Sequence, residues 1–206
     1  MKQLVFKKNQ KINKKMIFVS KENLSHNYRQ IDKFSGNSKI ISVIKGDGYG
    51  HGLLECCKIL KTNKCKDFYV ARLDDAIKLR ENFKSINIYL LSGVISNNDL
   101  KEIKKYKIIP IINNVDQLSL LKTSQKLLYV LHIDTGMNRL GLQSSELEKY
   151  SNLIDKKNII FLMSHLSSAD DLKKNESSKQ LNNLIDLNKN FNLPLSIANS
   201  SGIFLG

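Results

Sequence analysis

Residues 68–91 read FYVARLDDAIKLRENFKSINIYLL, and this stretch decides the fold class. Phe68 to Ala71 and Ile86 to Leu91 are short apolar runs, typical of strands that are covered on both faces of a sheet. Asp74 to Asn82 lies between them, with apolar residues at helical spacing and two aspartates in the first turn, where the helix dipole favours negative charge. A strand, a helix and a second strand in this order predict a parallel βαβ unit.

The same alternation runs from about Met16 to the end of the chain. It predicts seven strands: Lys39 to Ile44, Phe68 to Ala71, Ile86 to Leu91, Ile108 to Ile112, Leu127 to Ile133, Ile159 to Met163 and Leu195 to Ala198. The helices predicted between them include Leu24 to Phe34, Gly52 to Lys61, Asp74 to Asn82, Asn98 to Lys105, Val115 to Leu121, Ser145 to Ile154, capped by Ser144 or Ser145, and Ser178 to Asn190. No turn-rich linker separates these units. We therefore expect one domain over residues 16–206, after a basic leader over residues 1–15.

Two α/β architectures fit this pattern, a doubly wound sheet and a (β/α)8 barrel. A complete barrel takes about 250 residues, so a chain of this length holds about seven of the eight βα units. We therefore predict an α/β fold in the form of an incomplete (β/α)8 TIM-type barrel.

The composition excludes several classes of protein. The chain has 206 residues and 41% hydrophobic residues, which is enough apolar material for one large core. No apolar run reaches the roughly 18 residues that a membrane-spanning helix needs. The three cysteines, Cys56, Cys57 and Cys65, give neither an even disulfide framework nor paired zinc-binding spacing, so we expect a reducing, cytoplasmic compartment.

The net charge of +14 raises the question of a nucleic-acid partner. All but four of the 33 basic residues are Lys, and they are scattered through the chain among many Asn and Ile. Nucleic-acid surfaces lean on Arg and concentrate the charge on one face or tail. The charge therefore indicates a general compositional bias with solvated faces, and we expect no nucleic-acid and no membrane partner.

Polar clusters follow four of the seven predicted strands. In an α/β sheet, functional side chains come from the carboxyl ends of the strands and the loops just after them. The clusters are Ile44-Lys45-Gly46-Asp47-Gly48-Tyr49-Gly50-His51-Gly52, His132-Ile133-Asp134-Thr135-Gly136-Met137-Asn138-Arg139-Leu140-Gly141, Ser164-His165 with Ala169-Asp170, and Ala198-Asn199-Ser200. Together they predict Lys, Tyr, Arg, His, Asn and Ser around one rim.

The first cluster does not match either common phosphate-binding loop. A dinucleotide fingerprint would need Gly in place of His51, and a Walker A loop would have its Lys after the glycines rather than before them. The cluster offers an amine at the end of a strand, followed by glycines that let backbone approach a ligand closely.

In their residues and in their order, the four clusters resemble the N-terminal barrel of the alanine racemase family. Members of this family use pyridoxal 5'-phosphate (PLP) to interconvert L- and D-alanine, which supplies D-alanine for peptidoglycan. The first cluster is similar to the family's cofactor-lysine motif, the second to its mid-barrel signature, and the last to its phosphate-site motif. The similarity extends from about Met16 to Gly206, and it implies an isomerase that acts on alanine as a homodimer.

The resemblance implies a role for each rim residue. Lys45 would bond covalently to PLP and serve as one of two acid/base groups, on the side that handles D-alanine. Arg139 would reach the cofactor's phenolic oxygen and the substrate carboxylate, because a guanidinium fork suits two oxygens. Tyr49 would hydrogen-bond the phosphate, which Ser200 would hold with support from Asn199. His165 would steady an Arg that meets the pyridine nitrogen. No metal is expected.

The sequence departs from the family in two ways. Some members carry a carbamylated Lys at His132 that orients the nearby Arg, and an imidazole cannot be carbamylated in that way. Members also continue into an eighth strand and a C-terminal β domain, which contributes a Tyr as the second base across a dimer interface. We therefore expect this chain to be an N-terminal fragment or truncated product that is not active alone.

Three alternatives stay open at this point. The first is a single-domain PLP-binding barrel protein of PLP homeostasis, without racemase activity. The second is a split enzyme in which a separate chain supplies the missing C-terminal part. The third is a related racemase that acts on serine or another small amino acid.

Overall fold

The computed structural model describes residues 4–5, 18–122, 124, 126–171 and 175–205. Its strands are β1 (Leu4–Val5), β2 (Phe18–Val19), β3 (Ser42–Val43), β4 (Asp67–Val70), β5 (Asn87–Leu90), β6 (Ile109–Ile112), β7 (Tyr129–His132), β8 (Ile159–Met163) and β9 (Leu195–Ser196). Its helices are α1 (Lys21–Phe34), α2 (Lys45–Tyr49), α3 (Leu53–Thr62), α4 (Leu73–Asn82), α5 (Asn97–Lys105), α6 (Val115–Leu121), α7 (Ser144–Lys149), α8 (Glu176–Asn188) and α9 (Ser200–Ile203).

Strands β3 to β9 form one sheet in which every neighbouring pair is parallel. Their order in the sheet is their order along the chain, β3-β4-β5-β6-β7-β8-β9. A doubly wound sheet reverses its strand order at a switch point, and this sheet does not. The prediction of an incomplete barrel with seven strands is therefore confirmed.

The sheet curls because one of its faces packs against itself. The rings of Tyr89 on β5 and Phe161 on β8 have centroids 5.6 Å apart, although three strand spacings of about 4.8 Å would separate them in a flat sheet. Residues of five strands line this concave face and form the inner apolar cluster: Tyr69, Tyr89, Ile111, Val130, Phe161 and Met163. Burying them against one another requires the sheet to bend into an arc.

A second, larger core lies between the convex face of the sheet and the helices. Residues that alternate with the inner cluster along each strand contribute to it, including Phe68, Ile88 and Leu131, each fully buried. In α4, the helical spacing of Ala76 and Leu79 buries both of them against the sheet. This two-layer burial explains why the strands are apolar on both faces.

The two edges of the arc approach each other without a described strand between them. Helix α1 lies before edge strand β3 and helix α9 lies after edge strand β9, and the rings of Phe34 and Phe204 meet at 4.9 Å. Val43 on one edge and Leu195 on the other are 41% and 36% exposed. This open seam, defined by β3 and β9, leaves backbone groups of two parallel edges unpaired by any described strand.

Some predicted boundaries were wrong. The first barrel strand is Ser42–Val43, shorter than the predicted Lys39 to Ile44, and Ile44 has already left strand geometry, with ψ 27°, as the cap of α2. The helix predicted over Ser145 to Ile154 ends at Lys149, and a 3-10 turn follows at Ser151–Leu153. Its cap is Gln143, whose backbone N–H donates to the Glu146 carboxylate at 2.9 Å and whose carbonyl accepts from Glu146 N at 3.0 Å, so neither Ser144 nor Ser145 has that role.

Most of the predicted leader lies outside the described residues. Within residues 1–15 the structure describes Leu4 and Val5, which form β1 and pair antiparallel with Phe18–Val19. None of the helices in the described part of the chain has the length and apolar character needed to cross a membrane.

Gly93 provides a test of how tightly the sheet is packed. It has φ +72°, and a Cβ there would overlap the Ile111 carbonyl oxygen and the Gln117 side chain. We expect Gly93→Ala to lower the free energy of unfolding by the roughly 1–2 kcal/mol of a left-handed residue plus about 1–3 kcal/mol of overpacking. The measurement is urea unfolding followed by circular dichroism.

Gly36→Ala is the matched control for this variant. Gly36 also has a left-handed backbone, with φ +59°, but a Cβ there would meet nothing within 4 Å. It should therefore show the conformational cost alone. Equal losses in the two variants would contradict the packing described around Gly93.

Candidate functional site

All six predicted site residues lie at the carboxyl end of a strand of the parallel sheet. Lys45 and Tyr49 follow β3, Arg139 follows β7, His165 follows β8, and Asn199 and Ser200 follow β9. Because parallel strands end at the same edge of a sheet, the arc carries these side chains on one rim.

Lys45 opens a turn of unusual handedness. Gly46, Asp47, Gly48 and Tyr49 have φ values of 60°, 53°, 64° and 54°, and Gly50 follows with 84°, so five successive residues are left-handed. Glycine adopts this conformation without steric cost, which explains the three glycines, whereas a left-handed Tyr49 is strained. The turn sends the chain sharply away from the strand and leaves the half-buried Lys45 at the rim.

Two contacts hold this turn in place. The Asp47 carboxylate accepts a hydrogen bond from Leu53 N at 2.9 Å, which fixes the start of α3. Gly48 lies against Cys56, since a Cβ there would be 2.8 Å from the Cys56 Sγ. Burial raises the pKa of Cys56, so this thiol packs as a neutral, apolar group beneath the turn.

The loop that carries Arg139 is closed at its base. Ile133 and Leu142 form a bridge, Leu142 N donates to the His132 carbonyl at 2.8 Å, and Gly141 N donates to the Asn113 carbonyl at 3.1 Å. The loop therefore leaves β7 and returns to the same point, with Arg139 on its exposed part. In the part of the chain that the structure describes, the Arg139 guanidinium makes no hydrogen bond or ion pair.

His165 is held by helix α8. Gln180 donates to the His165 carbonyl at 2.9 Å, and its side-chain oxygen accepts from Ser167 N at 2.9 Å. One residue earlier, the Ser164 hydroxyl meets the Thr135 hydroxyl at 2.7 Å, which ties the rim after β8 to the rim after β7. The half-buried imidazole of His165 is thus placed by a fully buried glutamine.

Asn199 and Ser200 begin the short helix α9. The Asn199 side chain caps it by accepting from Gly202 N at 2.8 Å, while Ser200 is exposed at the first position of the helix. Both residues lie beside the open seam.

The electrostatics of the rim bring three of the predicted residues together. Burial lowers the pKa of His165, and the positive charges of Arg139 and then Lys45 lower it further. Such an effect requires both cations to be near the imidazole. Tyr49 is 60% exposed, so a phosphate contact for Tyr49 stays a prediction, as do the roles of the other five residues.

Sequence reasoning missed a buried polar network that borders the rim. His132 is 5% exposed, and its Nδ1 lies 2.8 Å from the Asn113 Oδ1, while Asn113 N donates to the Gln117 Oε1 at 2.9 Å. The sequence did carry a signal for this network, because Asn113 follows the end of strand β6, just as the other clusters follow theirs. It is easily overlooked, because two asparagines before a helix are typical of a helix cap, and Asn114 is indeed the cap of α6.

This arrangement suits a small anion that also carries an electrophilic carbon. Lys45 supplies a primary amine, Arg139 a guanidinium that no described residue pairs with, and Ser200 an exposed hydroxyl beside a helix start. PLP, which has a phosphate, a phenolic oxygen and an aldehyde, fits this set of groups. Among the described residues, no group of three or more His, Cys, Asp or Glu could hold a metal ion.

Comparison with curated proteins finds alanine racemases. The chain is 33% identical over 193 residues to the alanine racemase of Rickettsia canadensis, a match that covers 89% of this chain and 54% of that protein. It is also 33% identical over 193 residues to the alanine racemase of Photobacterium profundum, covering 90% and 53% of the two chains. The chain thus spans about half the length of the curated relatives it matches.

Comparison with solved structures gives the same result. The alanine racemase from Bartonella henselae, solved with covalently bound pyridoxal phosphate, superposes with a TM-score of 0.80 at 27% identity, covering 91% of this chain and 57% of that one. The alanine racemase from Acinetobacter baumannii gives 0.81 at 25% identity, covering 90% and 57%. The family model described as alanine racemase, N-terminal domain, matches residues 19–206. By sequence and fold, the chain belongs to the alanine racemase N-terminal domain family.

Proposed function

We propose that this chain is the PLP-binding barrel of an alanine racemase, an isomerase that interconverts L- and D-alanine. One observation carries the proposal. The match to the alanine racemase N-terminal domain covers residues 19–206, and within it Lys45, Arg139 and His165 converge electrostatically on one rim. The Bartonella henselae relative, with its covalently bound pyridoxal phosphate, supports Lys45 as the covalent attachment point.

We assign the remaining rim residues to binding. The exposed Ser200 and the backbone N–H groups beside it would hold the phosphate, with Asn199 keeping that turn in shape through its bond to Gly202. Tyr49 would complete the phosphate contact from the left-handed turn. Arg139 would bind the phenolic oxygen of the cofactor and the carboxylate of alanine, and His165 would steady the cofactor's pyridine side through a neighbouring Arg.

The chemistry that PLP supplies when bound is an electron sink for the pair of electrons left at the α carbon of alanine. Lys45 would take the α proton from one face and return it there, because its amine, set free once the amino group of alanine replaces it on the cofactor, would lie beside the reacting carbon. Arg139 would orient the carboxylate so that the α proton points at Lys45. His165, whose pKa is lowered by burial and by two cations, would stay neutral and add no further positive charge.

Inversion needs a second proton-transfer group on the opposite face of the α carbon. We place it in the part of the relatives that this chain does not match, since the chain spans about half of their length. The open seam between β3 and β9 supports this placement, because each of these edge strands has one side that no described strand of the sheet pairs with. A strand that pairs there would come from a continuation of the chain or from a separate polypeptide.

The wider context is proposed on the same basis. We infer a homodimer that supplies D-alanine for peptidoglycan in the cytoplasm. All three cysteines, Cys56, Cys57 and Cys65, are buried free thiols, which supports a reducing compartment.

Covalent labelling tests the cofactor site. We expect incubation of the 206-residue chain with PLP, followed by borohydride reduction, to place one pyridoxyl group on Lys45, because this amine lies among the anion-binding groups of the rim. Mass spectrometry of the digested protein locates the label, and Lys45→Arg should lose it while keeping the positive charge.

Lys39→Arg is the matched control for labelling. Lys39 lies before β3 at the opposite end of the sheet, where its ammonium pairs with the Asp67 carboxylate at 2.9 Å, and its side chain is 66% exposed. This variant should keep the label on Lys45. Label on a different lysine, or none at all, would remove the proposed site.

Proton exchange tests the chemistry. In D2O with PLP, we expect the chain to exchange the α proton of D-alanine with retention of configuration, because Lys45 serves one face alone. Exchange with L-alanine and net racemisation should be slower by the roughly 100-fold to 10,000-fold that one acid/base group contributes. NMR follows the exchange, and chiral chromatography follows the configuration.

The same experiment separates the competing functions. Full racemase activity from the isolated chain would refute the proposal that the second proton-transfer group lies outside this chain. A PLP-homeostasis protein would take up PLP on Lys45 but exchange neither enantiomer. Faster exchange of the α proton of serine than of alanine would indicate a racemase that acts on another small amino acid.

A further inference from the structure

We propose that His132 is a positioning residue for Arg139: Asn113 holds the imidazole with its proton on Nδ1, and the lone pair on Nε2 accepts a hydrogen bond from the guanidinium. This inference rests on the proposed function and deepens it for the same site. It assigns the orientation of the substrate-binding Arg to a neutral histidine.

The hydrogen bonds around Asn113 determine which nitrogen of His132 carries the proton. The Asn113 amide nitrogen donates to two carbonyl oxygens, of Leu91 at 2.9 Å and of Ile111 at 3.1 Å. Its oxygen therefore faces the other way, toward the His132 Nδ1 at 2.8 Å. An amide oxygen only accepts, so Nδ1 must donate, and in the neutral ring Nε2 is left as an acceptor.

Asn113 is itself held rigidly. Its backbone N–H donates to the Gln117 Oε1 at 2.9 Å, and Gln117 Nε2 donates to the Ser92 carbonyl at 2.7 Å. The absence of a side chain at Gly93 makes room for Gln117. The Asn113 carbonyl also receives Gly141 N from the end of the Arg139 loop. One asparagine thus fixes both the imidazole tautomer and the base of the loop.

We assign the Arg139 guanidinium as the donor to the Nε2 of His132. Within the described residues, the guanidinium makes no hydrogen bond or ion pair, and the His132 Nε2 has no donor. The loop that carries Arg139 starts and ends at His132 through the bond from Leu142 N to the His132 carbonyl. A guanidinium only donates, so it can pair with a neutral imidazole and is repelled by a protonated one.

Burial, and after it three ionisable groups, determine the charge of His132. Burial lowers the pKa of His132 to about 4, with further lowering by His165 and Arg139, while Asp134 opposes them. Asp134 Oδ1 is already occupied by the backbone N–H groups of Gly136 and Asn138. The imidazole is therefore neutral above about pH 5, and its acceptor persists through neutral pH.

The first measurement uses the full chain without PLP. Long-range 1H–15N NMR of labelled histidine should show His132 as the Nδ1–H tautomer from about pH 8 down to about pH 5. Arg139→Gln should raise the pKa of His132, whereas Arg139→Lys, which keeps the charge, should not. A proton on Nε2, or a pKa that does not respond to Arg139→Gln, would overturn the inference even if PLP binds.

The second measurement is PLP affinity in a set of variants. His132→Leu removes the acceptor, and Asn113→Asp places a carboxylate at Nδ1, which favours the imidazolium and makes Nε2 a donor. Each should weaken PLP binding by about tenfold or more, the loss expected for one hydrogen bond to a charged group. His132→Gln, whose side-chain oxygen can replace Nε2, should restore most of the affinity.

Asn183→Asp is the matched control, because it adds the same negative charge on α8, where the Asn183 side chain is hydrogen-bonded to the Thr135 carbonyl and not to His132. It should bind PLP like the unmodified chain. If His132→Leu does not fold, His132→Gln and Asn113→Asp still test the inference. Equal PLP affinity in those two variants would overturn it. Failure of the unmodified chain to bind PLP would instead refute the proposed function. The tautomer of His132, measured by NMR in the chain without PLP, would still test the role of His132.

Discussion

The packing of the concave face on itself is the constraint on which the rest of the structure depends. Tyr89 on β5 and Phe161 on β8 lie three strands apart in the sheet, yet their ring centroids are 5.6 Å apart, and Tyr69 packs beside Tyr89 at 5.4 Å. Burial of these rings is favourable only if the sheet bends, since none of the described helices covers this face. Bending turns the carboxyl ends of seven strands toward one centre, and the rim of functional residues follows from it.

The rim combines a strained element with a rigid one. Lys45 is placed by five left-handed residues, a conformation that costs free energy at Tyr49 and that the surrounding contacts of Asp47 and Gly48 must hold. The opposite side of the rim is held by the buried amides of Asn113 and Gln117, which hydrogen-bond to each other and to the backbone. Strain places the amine that we propose binds PLP, and a satisfied hydrogen-bond network places His132, which we propose orients Arg139.

Prediction from sequence worked where a single local pattern was sufficient. The strand and helix alternation gave the fold class, and the strand-end rule gave Lys45 and His165 as rim residues, because both depend on neighbours along the chain. It failed at Lys45 to Tyr49, where two glycines permit a left-handed turn that periodicity does not express. It also missed Asn113, whose partner His132 is 19 residues away and one strand over.

The sequence by itself determined the α/β class, the seven strands, the motifs on the rim and the family, because apolar periodicity and motif residues are properties of short segments. Chain length and motifs favoured a barrel over a doubly wound sheet, but the tertiary structure alone shows the strand order and the packing of Tyr89 on Phe161 that establish it, since both are long-range. It also decided the charge and the tautomer of His132. These depend on how deeply the ring is buried and on which way an amide from another strand points, and no local pattern encodes either.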